Sequence, residues 1–277
     1  MEARRLLIIT MMISILGLGS PLARAADSAS KSSDWDFSTA IYLWAAGLRG
    51  DVTAMGNSTS VDESFIDTVS NADSLFALEL HGEALWRERW GGFLDGTYLK
   101  LGFDNQVLAV PPGPIVPAII ADLETEIWLV EFGGLYRAGR WAYRQGQGDR
   151  GWTLDLLAGG RYTSVDQKVA FKVPPAPNVN VSASWTDPFF GARAIFDLTE
   201  RWAFILRSDI GGFGVGSDFT FNGVGMFDYR YVGWGLDMDI LAGYRGLYQD
   251  YSSGSGPTAF VWDIWMHGPL LAWNIRW

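Results

Sequence analysis

Residues 258–277, with the sequence TAFVWDIWMHGPLLAWNIRW, carry the clearest structural pattern in the chain. Leu271, Trp273 and Ile275 alternate with residues that are small or polar. A two-residue period is typical of a β-strand, because successive side chains point to opposite faces. The apolar face is rich in tryptophan, whereas the buried face of a strand in a water-soluble protein is usually aliphatic. The stretch, which ends on Trp277, therefore predicts a strand with an aromatic apolar surface.

Residues 1–25 have the pattern of a secretory signal peptide. Arg4 and Arg5 give a positive start, residues 6–19 are apolar, and Ala23-Arg24-Ala25 matches a cleavage site. The apolar run is too short to span a bilayer, which needs about 20 residues. We therefore expect cleavage after Ala25, followed by a polar, flexible leader at residues 26–34.

The composition of the remaining chain limits the possible classes. No stretch is long and apolar enough for a transmembrane helix, so only a closed β-barrel could carry the mature chain across a membrane. The chain has no cysteine, which excludes a disulfide scaffold. Its net charge of −10 argues against nucleic acid as a partner. The 33 glycines and the aromatic content of 14% suit twisted strands with aromatic girdles.

Alternating apolar and polar residues, separated by turn-forming or proline-rich segments, predict ten strands in all. The predicted strands are residues 35–48, 74–87, 90–104, 119–137, 151–173, 182–198, 201–213, 218–231, 234–250 and 258–277. Long and short connections alternate, as in outer-membrane barrels. Eight or twelve strands are alternatives, because residues 50–65 could hold a further pair of strands and the alternation in residues 90–104 is less clean. We therefore predict one all-β domain at residues 35–277, a transmembrane antiparallel up-and-down β-barrel of about ten strands.

The face opposite the aromatic residues carries charges of both signs. One register of the fifth and sixth predicted strands pairs Arg161 with Asp187 and Asp155 with Arg193. Other registers would pair Arg230 with Asp237 and Arg245 with Asp263. Buried charges need partners, and side chains can fill the interior of a small barrel. We therefore predict a structural charge lattice inside the barrel, with a solvated, solute-selecting pore as the alternative. The predicted members are Asp155, Arg161, Asp187, Arg193, Arg207, Asp209, Arg230, Asp237, Arg245 and Asp263.

Several stretches resemble a known family. They are residues 209–220 (DIGGFGVGSDFT), residues 243–251 (GYRGLYQDY), residues 187–193 (DPFFGAR) and the run Tyr42-Leu43-Trp44. The chain resembles a family of small proteobacterial outer-membrane β-barrel proteins, many of them without assigned function. The resemblance covers mainly the fifth to tenth predicted strands. It implies the fold and an outer-membrane location, but it transfers no catalytic residues.

A glycine-rich segment and two histidines are candidate functional motifs. Residues 212–216 (GFGVG) lack the following helix of a nucleotide-binding loop and predict a tight turn. Glu79 and Glu83 flank His81 on one face and could orient its ring for catalysis, but no serine shares that face in the same predicted strand. His267, beside Gly268-Pro269, indicates a bulge at which the alternation changes face.

Acidic residues cluster in segments that we expect to be loops or to lie next to them. They could bind Ca²⁺ or bridge lipopolysaccharide through divalent cations, but their spacing does not match a calcium-binding loop. A solvated acidic surface is the favoured interpretation, and no metal site is predicted. These residues are Asp62, Glu63, Asp67, Asp122, Glu124 and Glu126.

These features predict an integral protein of the bacterial outer membrane without cofactors. We expect a non-enzymatic role, either structural or passing a small solute through a narrow charged lumen. One alternative is an outer-leaflet lipid hydrolase or acyltransferase that uses a histidine of the barrel wall. Another is an exported soluble β-barrel that binds an apolar ligand. The expected partners are outer-membrane lipids, lipopolysaccharide and the barrel-assembly machinery, with Trp277 as the assembly signal.

Overall fold

The computed structural model describes residues 34–54, 57–64, 74–108, 119–143, 150–171 and 179–277. The predicted signal peptide and residues 26–33 of the leader lie outside these ranges. Within the described part of the chain, no helix has the length and hydrophobicity needed to cross a bilayer. The described elements are β-strands and one short 3-10 turn, Gly256–Thr258.

The strands form a closed antiparallel barrel. Ten of them, β1 and β4 to β12, make the ring, which closes because β1 pairs with β12. The predicted ten-stranded barrel is therefore confirmed. The strands are β1 (Trp35–Trp44), β2 (Gly47–Ala54), β3 (Asn57–Glu63), β4 (Ser74–Trp86), β5 (Trp90–Leu108), β6 (Ile119–Ala142), β7 (Gly151–Phe171), β8 (Val179–Asp197), β9 (Trp202–Gly212), β10 (Phe219–Gly233), β11 (Leu236–Ser253) and β12 (Phe260–Arg276).

The further pair of strands expected within residues 50–65 is the hairpin of β2 and β3, and it adds no strand to the ring. β2 continues the line of β1 along β12 in an unchanged register, with Leu43 opposite Leu271 and Leu48 opposite Met266. β3 then pairs with β2 alone. Where β1 passes into β2, a side chain at Gly268 would collide with the carbonyl oxygen of Ala45, so glycine is required there.

The expectation that His267 marks a change of face is wrong. Met266 and Leu270, before and after this point, are both buried on the inward face. Trp265 and Leu271, also before and after it, are both exposed on the outward face. The alternation of inward and outward residues in β12 thus continues without interruption through Gly268-Pro269. The register of β12 with β1 is the same as its register with β2, so there is no bulge at this point.

The outer surface carries two levels of aromatic residues. Trp90 and Tyr136 contact each other near the end of the barrel where β1 begins and β12 ends, which we call the terminal end, with ring centroids 4.5 Å apart. Tyr98 and Trp128 form a second pair, also 4.5 Å apart, toward the opposite end. Between the two levels lie apolar residues such as Leu94, which is 59% exposed. The separation along a tilted strand is about 20 Å, close to the apolar band of membrane barrels.

Beyond the second aromatic level, the outer surface becomes charged. Lys100 Nζ lies 2.9 Å from Glu124 and 2.7 Å from Glu126, while Lys168 Nζ lies 2.9 Å from Glu124. We call these four residues the rim cluster. The two lysines lower the pKa of Glu124, and the glutamates raise the pKa of Lys100 and Lys168. Glu124 and Glu126 thus stand beyond the aromatic band, as the sequence predicted.

The predicted register of β7 with β8 is confirmed, whereas that of β10 with β11 is wrong by two residues. In β7 and β8, Arg161 is opposite Asp187 and Asp155 is opposite Arg193, as predicted. In β10 and β11, Arg230 is opposite Asp239 rather than Asp237. The turn falls on Trp234-Gly235, both with positive φ, and not on residues 232–233 as predicted. This displacement shifts the register by two residues.

The predicted pairing of Arg245 with Asp263 is wrong. Arg245 is opposite Gly268, and Asp263 is opposite Asp250 on the outer surface. Asp263 accepts a hydrogen bond of 2.7 Å from the hydroxyl of Tyr248. The prediction failed because this part of β12 is apolar on both faces, so the alternation did not indicate which face is inward.

Candidate functional site in the barrel lumen

Inward-facing residues divide the lumen into an apolar layer and a charged layer. The apolar layer lies toward the end of the barrel opposite the terminal end and consists of residues that are at most 7% exposed. We call it the apolar plug. Its members come from β1, β2, β5 to β8, β11 and β12: Trp44, Leu48, Leu99, Leu101, Ile127, Leu129, Val165, Trp185, Leu247, Trp262, Ile264 and Met266.

The charged layer is centred on Glu131 of β6, which is 1% exposed. Its carboxylate accepts hydrogen bonds from three arginines: Arg161 at 3.0 Å, Arg245 at 2.8 Å and Arg207 at 2.6 Å. Arg245 belongs to β11 and reaches across the lumen, where it also donates to Glu79 of β4 at 2.8 Å. The layer therefore joins strands that are not neighbours in the ring.

Asp209 and Asn222 complete this layer on the side of β9 and β10. Arg161 donates to Asp209 at 2.6 Å, and Asn222 donates to the other oxygen of Asp209 at 2.9 Å. Arg161 also stacks over Phe189, with its guanidinium carbon 5.1 Å from the ring centroid. Because Arg161 and Asp209 are fully buried, their mutual pairing is what makes these charges tolerable inside the barrel.

A second group of charges lies closer to the terminal end. Arg193 forms a bidentate pair with Glu83, at 2.6 and 2.9 Å, and also binds Asp155 at 2.8 Å. Arg137 donates to Asp155 at 2.8 Å. The pair of Arg193 and Glu83 again spans the lumen, from β8 to β4. Planar bidentate pairs of this kind are stronger than single ionic hydrogen bonds.

A third group lies around the terminal opening. Arg230 binds Asp197 at 2.8 Å and Asp228 at 3.1 Å. Arg276, the last residue of β12, binds Asp239 at 2.8 Å. The three groups together form a ladder of ion pairs from the opening to the apolar plug.

A cavity of 460 Å³ lies in the terminal half of the lumen. We call it the terminal cavity. It extends from Asp36, Glu88 and Trp277 at the opening to Glu79 and Arg245 at its inner end. Glu131, Arg161 and the apolar plug lie beyond this inner end, so the cavity does not continue through the described part of the barrel.

The structure brings most of the predicted lattice residues together. Asp155, Arg161, Arg193, Arg207, Asp209, Arg230 and Arg245 all take part in the ion pairs above. Asp237 lines the terminal cavity. Asp187 is buried, but it accepts from the Trp185 ring and the Ser217 backbone N–H instead of Arg161. Asp263 lies outside the lumen, as described above.

Several members of the network were not predicted as part of it, above all Glu131, Glu79, Glu83, Asp197 and Asp239. The prediction considered only residues opposite each other in adjacent strands. The observed arginines bind acids on strands across the ring. The register of two adjacent strands does not show such contacts. The sequence does indicate that Glu131 faces the lumen, because it lies on the face of its strand opposite the aromatic residues.

The two histidines lie in different environments. His81 faces the lumen, with Nδ1 3.1 Å from Asp95 and Nε2 3.7 Å from Glu83. Asp95 on the neighbouring strand therefore holds the ring, a role that the sequence assigned to Glu79 and Glu83. His267 faces outward, and its Nδ1 is 2.6 Å from the hydroxyl of Tyr244.

Trp277 lies on the outer surface where β1 and β12 meet and close the ring. It is 60% exposed and stacks on Phe37, with ring centroids 6.1 Å apart. Its backbone exchanges two hydrogen bonds with Phe37, at 3.0 and 3.1 Å. The position agrees with the predicted apolar surface, while the role of Trp277 as an assembly signal remains a prediction.

No family model matches the chain. No curated protein matches it either. Membership of the small proteobacterial family that the sequence resembles therefore stays a prediction.

Among solved structures, the chain is similar to outer-membrane β-barrels. One is Ail, the attachment invasion locus protein of Yersinia pestis, in complex with the heparin analogue sucrose octasulfate. It is 13% identical with a TM-score of 0.37, covering 88% of this chain and 99% of that chain. The β-domain of the Bordetella autotransporter BrkA is 13% identical with a TM-score of 0.35, covering 87% and 98%. A Pseudomonas aeruginosa FadL homologue is 9% identical with a TM-score of 0.29, covering 89% and 90%. Likenesses this low carry no argument about the activity of this chain.

Proposed function

We propose that this protein is an integral outer-membrane β-barrel with a closed lumen and a structural, non-enzymatic role. The main support for this proposal is that the apolar plug and the charged layer both extend across the lumen. Trp262, Ile264 and Met266 in the plug are at most 1% exposed, and Glu131 below them is held by three arginines. A hydrated solute would have to displace both layers to pass.

The outer surface supports the membrane location. Two aromatic levels about 20 Å apart, with apolar residues between them, match the band of a membrane barrel. The rim cluster lies beyond this band, where charges can reach water. A soluble barrel would carry its charges outside and its apolar residues inside, so the soluble ligand-binding alternative is disfavoured.

The positions of the histidines argue against the alternative of a lipid hydrolase or acyltransferase. His81 lies within the lumen on the terminal side of the plug, where outer-leaflet lipid has no access. His267 faces outward, but its hydrogen-bond partner is Tyr244 and not an acidic residue. Neither arrangement supplies the nucleophile, base and orienting acid that acyl transfer requires.

Recording from planar bilayers tests the closed lumen. We expect the refolded protein to give no discrete current steps. The double variant Trp262→Ala/Arg245→Ala removes one large side chain from each layer and should conduct. Leu94→Ala, which shortens an outward-facing side chain, is the matched control and should remain silent. Stepwise ionic current through the unaltered protein would overturn the proposal in favour of a solute-passing pore.

A further inference from the structure

The inner end of the terminal cavity has carboxylates whose hydrogen-bonding capacity is only partly used. Glu79 and Asp95 line the cavity on adjacent strands, and each is 5% exposed. Within the described ranges, one oxygen of each, Glu79 Oε2 and Asp95 Oδ1, has no hydrogen-bond partner. Buried acceptors without a donor are costly, so a ligand that supplies donors would gain free energy there.

The surrounding charges favour a cationic ligand over an anionic one. Arg245 and Arg193 in the lining are already paired with two carboxylates each. Among the fully buried donors of the described lining, those without a partner are the Nε atoms of Arg207 and Arg276, whose guanidinium groups already bind carboxylates. Among the described residues, Asp95 hydrogen-bonds only to His81 through its side chain. Each of these arginines therefore already binds a carboxylate, whereas Asp95 has no arginine or lysine partner in these ion pairs.

The walls of the cavity favour an organic amine over a metal ion. In the part of the chain that the structure describes, no group of three or more histidine, aspartate or glutamate side chains is placed to hold a metal. Val224, Met226, Leu241 and Leu270 give the lining apolar patches that suit methylene groups. Tyr42 also lines the cavity, and an aromatic ring attracts an ammonium group. The volume of 460 Å³ is within the usual range for small-molecule sites.

We propose that the inner end of the terminal cavity binds a small aliphatic amine. When the amine binds, Glu79 and Asp95 turn so that Oε2 and Oδ1, which are buried in this structure, accept hydrogen bonds from its ammonium group. The carbon chain lies against the apolar patches. The proposal does not depend on whether the lumen conducts, because the cavity lies on the terminal side of Glu131 and the apolar plug.

Calorimetric titration of the refolded full-length protein with 1,5-diaminopentane tests the site. We expect saturable binding of the diamine and none of pentanedioate, which has the same chain length and the opposite charge. Asp95→Asn keeps the shape of the side chain and should weaken diamine binding about tenfold or more. Asp263→Asn removes an outward-facing carboxylate and should leave diamine binding unchanged.

A second variant separates loss of the site from loss of the fold. Met226→Trp fills the cavity without changing any charge, and it should abolish diamine binding while the protein remains heat-modifiable on gels. Failure of the unaltered protein to bind the diamine would overturn the proposal. Equal affinities of the unaltered protein and either cavity variant would do so as well, as would binding of pentanedioate with comparable affinity.

Discussion

At the scale of single residues, the partner of a buried charge is not always the residue opposite to it in the sheet. Arg161 is directly opposite Asp187, yet its guanidinium binds Glu131 and Asp209. The long arginine side chain extends toward the lumen axis, where acids from other strands converge. Asp187, which has a short side chain, binds the Ser217 backbone N–H close to its own strand.

Double-mutant cycles distinguish the contact partner from the register partner. Removing one member of a buried ion pair costs about 3–5 kcal/mol. We expect a coupling free energy above about 1 kcal/mol between Arg161→Ala and Glu131→Ala, because the two side chains share a buried hydrogen bond. The cycle of Arg161→Ala with Asp187→Ala serves as the matched comparison and should give less than about 0.5 kcal/mol. Urea unfolding in detergent measures both values, and equal couplings would contradict the contacts described here.

At the scale of elements, each strand changes character along its length. In β5 the outward face passes from Trp90 to Leu94, then to Tyr98, and then to Lys100 of the rim cluster. The inward face of β5 and β6 passes from a small apolar cluster that includes Phe93 and Leu135 to the charged layer and then to the apolar plug. The outward and inward faces of a strand thus change character at different heights, so one strand can face lipid outside and packed side chains inside.

The rim cluster predicts a pH dependence of stability. Because the pKa of Glu124 is lowered in the folded state, its ion pairs stabilise the fold above its unfolded pKa of about 4.3 and lose this effect as the pH falls. The pKa of Lys100 and Lys168 is raised, so their contribution is present below about pH 10 and lost as the pH rises through the folded pKa.

Comparison of the unaltered protein with Glu124→Gln tests this dependence. The variant should have a lower free energy of unfolding near pH 7, and the difference should shrink as the pH falls below about 4 and vanish below the folded pKa of Glu124. It should also shrink in about 1 M salt, because the cluster is partly exposed. A difference that is the same at pH 3 and pH 7 would show that the ion pairs of Glu124 are not its cause.

At the scale of the whole molecule, ring closure depends on the pairing of the first and last strands. β1 meets β12 from Ser38 opposite Arg276 to Trp44 opposite Leu270, and the bonds between Phe37 and Trp277 end this seam. An open barrel would leave the backbone groups of both edges unpaired in lipid, which is strongly unfavourable.

Deletion of residues 275–277 should therefore sharply reduce the amount of inserted protein. Cell fractionation and heat-modifiability on gels measure this amount, and the unaltered protein should be found in the outer-membrane fraction. Trp202→Ala removes an exposed aromatic residue away from the seam and should insert nearly normally. Normal insertion of the truncated chain, or recovery of the unaltered protein in the soluble periplasm, would contradict the proposed membrane role.

The fold and the orientation of most strands could be predicted from local patterns. Alternation with a period of two is a property of each strand, so it indicated the outward face of β7 to β11 without knowledge of their neighbours. The turn at residues 213–217 was likewise predictable, because Gly212 and Gly214 adopt positive φ angles that glycine favours. The register of β7 with β8 followed from two pairs of opposite charges.

The closed lumen could not be derived in this way, because it depends on residues that are distant in sequence. Arg245 and Glu131 are 114 positions apart, and they meet only because the ring brings β11 and β6 to facing sides of a narrow interior. In β12 the inward residues Trp262, Ile264 and Met266 are as apolar as the outward ones, so alternation did not distinguish the plug from the lipid-facing surface. The periodicity of a strand specifies two faces, but ring closure determines which side chains meet across the lumen and therefore whether it is filled.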